Sequence, residues 1–436
     1  WQLFLGMLQP RRYQRMKPKL LSTLQGYTPR QFTADAFAGL TVAMVAIPLS
    51  IAIAIASGAS PEKGLITAVV GGFLISLLGG SRVQIGGPTG AFIVVVFGVI
   101  AQYGYDGLVL ATLMAGAILV LAGLLRLGNL IAYVPEAVVN GFTIGIAIII
   151  ATSQLKDFLG MDAASLPAEF LAKLEALWAA RDTISPAAVA TGLAALALIV
   201  ALRKLAPRLP GLIVAMAVIS VAVTAFTLPV DTIAARYGAL PAKLPAPQIP
   251  HITLARLGEL FPSALVIAFL AAIESLLSAM VADRMIAGKH RPNAEVMAQG
   301  WANMGSALFG GMPATGAIAR TATNVRAGGQ TPVAGLIHAL VILLVLLFAA
   351  PLAGYLAMPA LAALLLVTAW NMSEPHKWKG YWASSKNDRI LLLVTLTLTV
   401  LADLTVAIGT GVALGLAMRM REARINPEEW DKGPDK

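Results

Sequence analysis

Fourteen apolar segments, each bounded by glycine, proline or charged residues, fill most of the chain between residues 36 and 420. In the first half they occupy roughly residues 36–56, 64–79, 88–101, 107–126, 135–153, 186–205 and 211–228. In the second half they occupy roughly residues 257–282, 294–310, 313–325, 332–352, 357–371, 388–402 and 404–420. A helix needs about 20 apolar residues to cross a bilayer. The pattern therefore predicts an all-α integral membrane protein with 14 transmembrane segments.

The composition agrees with a membrane protein and excludes several kinds of catalytic site. Charged residues make up 12% of the chain, against about 25% in soluble domains. The chain has no cysteine, which excludes disulfides, cysteine nucleophiles and cysteine-ligated metals. The four histidines are scattered, and the motifs HExxH, GxSxG and GxxxxGK(S/T) are missing from the sequence. We therefore expect neither an enzyme nor a cofactor or metal site.

The formal net charge of +10 is concentrated at the ends of the apolar segments, which favours orientation in a membrane over nucleic-acid binding. With a cytoplasmic N-terminus, the cytoplasmic ends and loops hold 24 of the 32 lysines and arginines, and the opposite side holds 7. Because positive residues concentrate on the cytoplasmic side, we predict that both termini are cytoplasmic. The predicted divisions are an N-terminal segment 1–34, a transmembrane domain 35–421 and a tail 422–436.

Segments 88–101 and 313–325 are too short to span a bilayer, and each begins at a proline preceded by glycines. The sequence GGPTGA, from Gly86, corresponds to GGMPATGA, from Gly310. Seven is an odd number, so two seven-segment repeats must enter the membrane in opposite senses. We therefore predict an inverted repeat, as in many secondary transporters, with half-helices at segments 3 and 10.

The half-helices of such a transporter meet near the middle of the membrane, where their free amides and positive dipole ends attract anions. The small side chains in both stretches allow a ligand to approach the backbone. The predicted substrate-binding amides belong to Thr89, Gly90, Ala91 and Phe92 on the first half-helix and to Ala314, Thr315, Gly316 and Ala317 on the second.

Arg320 is a lone cation inside the tenth segment. It follows Pro313 by seven residues, or about 10 Å along a helix axis, and a side chain of that length reaches back toward the helix start. A charge at the bilayer centre costs at least about 2.5 kcal/mol, so we interpret Arg320 as part of the anion site. In the alternative interpretation Arg320 extends to a polar surface or pairs with a carboxylate.

Glu274 is the second charge in an apolar stretch, ALVIAFLAAIESLLSAMVADRM. Ionisable residues inside transmembrane segments commonly belong to proton or ion pathways. Glu274 is therefore a candidate coupling residue for a proton or another cation. The alternative is a structural carboxylate bonded to helix-end amides or to Arg320.

Two stretches resemble bacterial members of the SulP family of anion transporters, the sulfate permease family. One is DAFAGLTVAMVAIPLSIAIAIASGASPEKGLITAVVGGFLISLLGGSRVQIGGPTGAF, from Asp35 to Phe92, and the other is MPATGAIARTATN, from Met312 to Asn324. The resemblance implies two inverted repeats of seven segments, with an anion held between the third and tenth. It also implies a core domain, about residues 35–126 and 257–352, that moves against a gate domain, about residues 130–228 and 354–420.

The resemblance also implies roles for individual residues. Pro88, Pro313 and Arg320 match the family's third-segment proline and its tenth-segment proline and arginine. Glu274 falls where relatives carry an acidic residue associated with proton or sodium coupling. The first segment would face the site with two residues, Leu49 and Ile53.

The chain departs from the family pattern in two respects. Many relatives have serines before the arginine, whereas this chain has Ala317 and Ala319, which leaves backbone amides and Thr315 to bind the anion. The family usually carries a cytoplasmic STAS domain after the last span. This chain stops at Lys436, so we expect that domain to be absent or removed.

The sequence thus predicts a secondary active anion transporter of the inner membrane with an elevator-like mechanism. The hypothesis is symport of a proton, or alternatively sodium, with a small anion. The candidate anions are sulfate, bicarbonate and a dicarboxylate such as fumarate. The alternatives are an anion exchanger, a channel or, less favoured, a nucleobase–proton symporter of the same fold, which would carry glutamate where this chain has Arg320. The expected partners are the anion, the coupling ion and the bilayer, without nucleic acid, and a homodimer is allowed.

Overall fold

The computed structural model describes residues 16–129, 135–163, 166–206, 209–402 and 404–425, so the predicted segments 1–34 and 422–436 lie partly outside the described residues. The helices of the first half are α1 (Lys19–Thr23), α2 (Pro29–Ala56), α3 (Pro61–Leu78), α4 (Ile93–Leu124), α5 (Glu136–Leu159), α6 (Phe170–Ala179), α7 (Pro186–Leu205), α8 (Gly211–Ala225) and α9 (Ile233–Tyr237). The helices of the second half are α10 (Leu254–Ile286), α11 (Pro292–Leu308), α12 (Ile318–Arg326), α13 (Val333–Phe348), α14 (Ala350–Ala353), α15 (Met358–Met372), α16 (Trp378–Ala383), α17 (Lys386–Leu401) and α18 (Leu404–Ile425). Short 3₁₀ turns lie at Gly90–Phe92, Leu127–Asn129, Arg181–Thr183 and Pro375–Lys377.

Local sequence fixes the start of several long helices. The helices α2, α3, α7 and α11 each begin at a proline, whose fixed φ and missing N–H suit the first helical position. At α2 the side chain of Thr28 accepts a hydrogen bond from the amide of Gln31, and the Gln31 side chain accepts one from the amide of Thr28 at 2.9 Å. This capping box satisfies two amides that the first turn would otherwise leave unpaired.

Six of the described helices are long and apolar enough to cross a membrane: α2, α3, α4 with its preceding turn, α5, α7 and α10. The helices α8 and α13 are shorter and also apolar. Large apolar side chains lie on the outer surface, including Leu254 at 88% exposure and Phe348 at 80%. An apolar surface of this kind is stable in lipid. The prediction of a mostly helical, multi-pass membrane protein is confirmed.

One short antiparallel sheet joins the two halves of the described chain. Its strands are β1 (Gly86–Gly87) and β2 (Thr315–Gly316), with Gly86 opposite Gly316 and Gly87 opposite Thr315. The pair brings together the two glycine-rich stretches that the sequence singled out.

The expectation that the half-helices begin at their prolines is wrong. The helix α4 begins at Ile93, after a 3₁₀ turn, and α12 begins at Ile318, so each starts five residues beyond its proline. Before α12 the backbone is extended through Ala317 because it forms or adjoins the β1–β2 pair, whereas before α4 it is extended at Thr89 and then follows the 3₁₀ turn Gly90–Phe92. The break expected between segments 88–101 and 107–126 lies at Gly104, where φ is 70° and ψ is 177° inside α4.

The long helices pack as two groups. We call α2–α4 and α10–α13 the first bundle, because these helices pack mostly against one another. We call α5, α7, α8, α15, α17 and α18 the second bundle for the same reason. The two bundles meet mainly where α2 packs against α8 and α15.

Polar contacts mark the two ends of the bundles. At the end that carries α1, here called the N-terminal face, the amide of Lys19 donates to Gly79 O at 2.8 Å and that of Arg291 donates to Gly80 O at 3.0 Å. At the other end, here called the opposite face, Arg236 pairs with Asp157 at 2.6 Å. A second pair there joins Arg256 to Asp106 at 2.7 Å.

Candidate functional site

The two helix starts that the sequence singled out meet at the β1–β2 pair. The strand β1 continues through Pro88 and Thr89 into the turn before α4, and β2 continues through Ala317 into α12. The amide of Ala317 donates to Ile85 O at 2.8 Å and extends the pairing. Extended backbone from both halves of the chain therefore positions both helix starts in the interior of the first bundle.

Arg320 is the third residue of α12, and its side chain is only 2% exposed. Its Nη2 donates to Ser50 Oγ of α2 at 3.1 Å, whereas Nε and Nη1 have no hydrogen-bond partner among the described residues. In the described part of the chain no carboxylate forms an ion pair with it. The site thus contains a buried cation with donors to spare, neither extended to a surface nor neutralised by Glu274.

Gly87 makes room for the guanidinium. A Cβ at this position would lie 2.4 Å from Arg320 Nη1, and the φ of Gly87 is +148°. A larger residue would displace the charge and strain the backbone. The glycine of β1 therefore belongs to the same site as the arginine of α12.

Several predicted anion-binding amides are already engaged. The amide of Ala314 donates to Asn303 Oδ1 at 2.9 Å, that of Ala317 to Ile85 O, and that of Phe92 to Thr89 O at 3.2 Å. The first intrahelical bond of α12 comes from Thr321 to Ala317 O, so the amides of Ile318 and Ala319 lack intrahelical acceptors. The sequence reasoning missed these two amides because it placed the helix start too early.

The start of α12 faces open space. Ile318 is 41% exposed and Ala319 is also exposed, whereas Thr315, Gly316 and Ala317 are buried. The Thr315 hydroxyl donates to Ala271 O of α10 at 2.8 Å and therefore supports the backbone instead of facing a ligand. The small residues at Ala317 and Ala319 leave the approach to the backbone unobstructed.

Glu274 lies on α10 beside the start of α4. Its Oε2 accepts a hydrogen bond from Thr89 Oγ1 at 2.7 Å, and both side chains are half-buried. Ala271, which accepts the Thr315 hydroxyl, lies three residues earlier on the same helix. One turn of α10 therefore contacts both helix starts.

The remaining predicted site residues lie in packed surroundings. Gly90, Ala91 and Phe92 are buried, and Phe92 belongs to the apolar core. On α2, Ile53 is buried in that core, whereas Leu49 is half-buried against it. The structure thus gathers the backbone of the two helix starts, with Arg320 and Glu274 in the same bundle but without a direct bond between them.

A buried polar network behind β1 was missed by the sequence reasoning. Glu295 of α11 is fully buried, and its carboxylate accepts from the amides of Gly80 and Ser81, at 2.8 and 3.2 Å. It also accepts from Ser275 Oγ at 2.8 Å and from Gln299 Nε2 at 2.7 Å. The signal was present in the sequence, because Glu295, Gln299 and Asn303 recur every four residues and so share one face of α11.

Asp35, which opens the family-like stretch, has a structural role at the N-terminal face. It is fully buried and accepts from the amides of Gln330 and Thr331, at 2.7 and 3.0 Å. It also accepts from the Tyr27 hydroxyl at 2.9 Å. Burial and the bond to Asp35 raise the pKa of Tyr27 to about 12.

No group of three or more His, Cys, Asp or Glu residues suited to a metal ion occurs in the part of the chain that the structure describes.

Comparison with known proteins identifies the family. The sequence model of the sulfate permease family matches residues 32–395. A relative from Bacillus subtilis, named putative sulfate transporter YvdB, is 45% identical over 372 residues, which are 85% of this chain and 70% of that protein. The bicarbonate transporter BicA from Picosynechococcus is 34% identical over 346 residues, which are 77% of this chain and 61% of that protein.

Solved structures agree in fold. The transmembrane domain of a cyanobacterium BicA superposes with a TM-score of 0.79 at 32% identity and covers 88% of this chain and 99% of that one. The structure of SLC26A9 superposes with a TM-score of 0.84 at 18% identity, over 94% of this chain and 68% of that one, and shows the fold alone. Because the family match spans most of the chain, this protein is a membrane transporter, not an enzyme, and belongs to the sulfate permease family.

Proposed function

We propose that the chain is a secondary active transporter of small anions that binds its substrate between the starts of α4 and α12. The observation that carries the proposal is Arg320, a buried cation beside β1 in which two guanidinium nitrogens, Nε and Nη1, have no hydrogen-bond partner and which has no carboxylate partner among the described residues. Its positive charge adds to the dipole ends of two helices. The open amides of Ile318 and Ala319 complete a set of donors suited to an anion.

The substrates to test are sulfate, bicarbonate and C4-dicarboxylates such as fumarate. Sulfate and bicarbonate appear in the names of the relatives YvdB and BicA. Alanine at positions 317 and 319 leaves backbone amides and the guanidinium as the hydrogen-bond donors. These groups can donate to the oxygens of any compact oxyanion. The arginine also disfavours a nucleobase, which needs an acceptor at this position.

Glu274 supports symport with a cation, either a proton or sodium. Its carboxylate lies at the start of α4 and is bonded to Thr89, so a change in its charge alters the helix start that would bind the anion. A proton or sodium ion taken up with the anion would offset the charge of the substrate. Exchange without a coupled cation is the alternative, and a channel is a further one.

The two bundles support an elevator-like movement of a core domain against a gate domain. Long-range side-chain hydrogen bonds and ion pairs tie elements together within each bundle and its attached loops. Examples are Glu295–Gly80, Asn324–Val83 and Arg256–Asp106 in the first bundle, and Arg236–Asp157 and Arg203–Asn371 in the second. Where α2 packs against α8 and α15, buried apolar residues of all three helices belong to one core cluster, and apolar packing of this kind allows the bundles to slide. We infer that the chain has 14 segments in two inverted repeats, with the β1–β2 pair at their junction.

The same proposal places both termini on the cytoplasmic side of the inner membrane. Lys19 and Arg291 lie at the N-terminal face. Because lysine and arginine are in excess on the cytoplasmic side of membrane proteins, this face is the one expected in the cytoplasm. A homodimer is compatible with the proposal and is tested by cross-linking in the membrane.

Reconstituted uptake tests the function. Purified protein in proteoliposomes is assayed with labelled sulfate, bicarbonate and fumarate, with and without imposed proton and sodium gradients. We expect saturable uptake of at least one anion that a proton or sodium gradient accelerates. Uptake that depends only on an exchanged internal anion would establish exchange, and unitary currents in a planar bilayer would establish a channel. Uptake of none of the anions would contradict the proposal.

A further inference from the structure

Lys173 is a buried cation that the anion site does not use. It lies on α6, in the connection between α5 and α7 at the opposite face, and only 3% of it is exposed. Lys173 and Leu177 are the buried residues of this helix. A lysine is therefore held on the packed side of an amphipathic helix, where desolvation opposes its charge.

Its surroundings compensate the charge without a carboxylate contact. The Nζ atom donates to Ser153 Oγ of α5 at 3.0 Å and lies 5.5 Å from the centroid of the Phe97 ring of α4. The described residues include no ion pair for it. Burial lowers the pKa of Lys173, and Glu169, an exposed residue one turn earlier, opposes this effect only in part.

The contact with Phe97 crosses between the bundles. Lys173 is bonded to α5 of the second bundle, whereas Phe97 lies in the first half of α4, in the first bundle. Two other cation–π contacts among the described residues do not cross between the bundles. Lys63 over Tyr105, at 4.9 Å, stays within the first bundle, and Arg181 over Trp178, at 5.0 Å, stays within the connection between α5 and α7. Phe97 is also one turn beyond the start of α4, the helix that leads from the candidate anion site.

We propose that Lys173 is a gating residue, whose ammonium, shared between Ser153 and the Phe97 ring, holds the two bundles together at the opposite face and closes the route from that face to the anion site. This inference rests on the proposed movement of one bundle against the other. The contact must break before an anion can enter from the opposite face, and a cation–π contact with one hydrogen bond can break and reform in each cycle.

The chain has no native cysteine, so a single introduced cysteine reports access to the site. Ala319→Cys, at the exposed start of α12, is labelled with a membrane-impermeant maleimide in right-side-out and in inside-out vesicles. Adding Lys173→Met is expected to raise the labelling rate from the opposite face at least threefold. Adding Lys173→Arg, which keeps the cation, is expected to leave the rate within twofold.

Phe97→Leu provides a second route to the same result. It is expected to raise labelling as Lys173→Met does, and the double variant is expected to exceed neither single variant. Lys243→Met is the matched control, because Lys243 is an exposed lysine in the loop between α9 and α10, and it should leave the rate unchanged.

Two outcomes would overturn the proposal: an unchanged rate in Lys173→Met, or an equal rise from both faces, which would indicate general loosening. Labelling does not depend on transport of any anion. If the proposed function were wrong but the gate correct, uptake would be lacking while the labelling pattern persisted.

Discussion

Arg320 is held by one hydrogen bond to Ser50 and by the space that Gly87 leaves. A buried arginine normally gains a carboxylate that offsets its desolvation. Here the described residues supply none, so an anionic ligand is the partner that would best stabilise the charge. The same reasoning explains why the residue is an arginine: its planar fork of donors keeps N–H groups free after the bond to Ser50.

We predict that Arg320→Ala weakens anion uptake strongly. A hydrogen bond to a charged group contributes about 1.5–3 kcal/mol, so the apparent affinity should fall roughly 10- to 150-fold. Concentration-dependent uptake in proteoliposomes measures the change. Arg326→Ala, at the exposed end of the same helix, is the control and should retain wild-type affinity. Wild-type uptake by Arg320→Ala would disprove the assignment of the site.

Glu274→Gln tests coupling separately from binding. Glutamine keeps the shape of the side chain and can still accept the Thr89 hydroxyl, but it does not titrate. We expect uptake driven by a pH gradient to be lost while anion binding stays detectable by isothermal calorimetry. Glu259→Gln, an exposed position on the same helix, should behave as wild type. If Glu274→Gln still responded to the pH gradient, coupling would lie elsewhere.

At the scale of elements, the β1–β2 pair determines where the two helices start. The pair holds its backbone extended through Gly316, and Gln84 packs directly beneath it, bonded to Ser275 of α10. A Cβ on Gly316 would lie 1.6 Å from Gln84 Nε2. The pair therefore depends on both the glycine and the buried polar network.

We expect Gly316→Ala to abolish uptake, because relieving this contact must move either Gln84 or the strand pair, and overpacking of this kind costs about 1–3 kcal/mol. Gly98→Ala in α4, where no atom lies within 4 Å of the added carbon, should transport normally. Gln84→Ala, introduced with Gly316→Ala, removes the opposing atoms and should restore part of the uptake. Normal uptake by Gly316→Ala alone would refute this account.

The polar network makes a separate prediction about stability. Glu295→Ala would leave several buried donors unpaired, each at a cost of about 1–3 kcal/mol. Thermal unfolding in detergent should therefore begin at a clearly lower temperature than in the wild type. Glu259→Ala removes an exposed carboxylate and should leave the unfolding temperature unchanged. An unaltered temperature in Glu295→Ala would mean that the network does not stabilise the fold.

Local sequence predicted several helix bounds well but placed the starts of α4 and α12 too early. The prediction of segment 186–205 coincides with α7, because Pro186 and its Ser185 cap mark the start. The start of α12 was placed five residues early, since a two-residue strand that pairs across more than 200 residues leaves no local pattern. Arg320 was recognised from its apolar surroundings, whereas the partners of Thr315 and Glu274 depend on which helices come together.

At the scale of the whole molecule, hydrogen bonds and ion pairs hold each bundle together, while apolar packing and the Lys173–Phe97 contact join the two. Composition and segment lengths predicted a multi-pass helical protein, because the bilayer alone sets how apolar and how long a membrane-spanning helix must be. The division into bundles could not be predicted in this way, since it is defined by contacts between segments that are distant in the sequence; the core and gate domains were expected only from the family resemblance.

If the bundles move against each other, bridging them should stop transport. The pair Lys173→Cys with Phe97→Cys is treated with a short bis-methanethiosulfonate, which bridges the two cysteines through disulfide bonds; uptake should fall to background and return when a thiol reductant cleaves these disulfides. The matched control is Lys63→Cys with Tyr105→Cys, a cation–π pair of similar geometry within the first bundle, in which the same bridge should leave uptake intact. Each double variant must transport before treatment. Undiminished uptake with the first bridge formed would exclude relative movement of the bundles at this face.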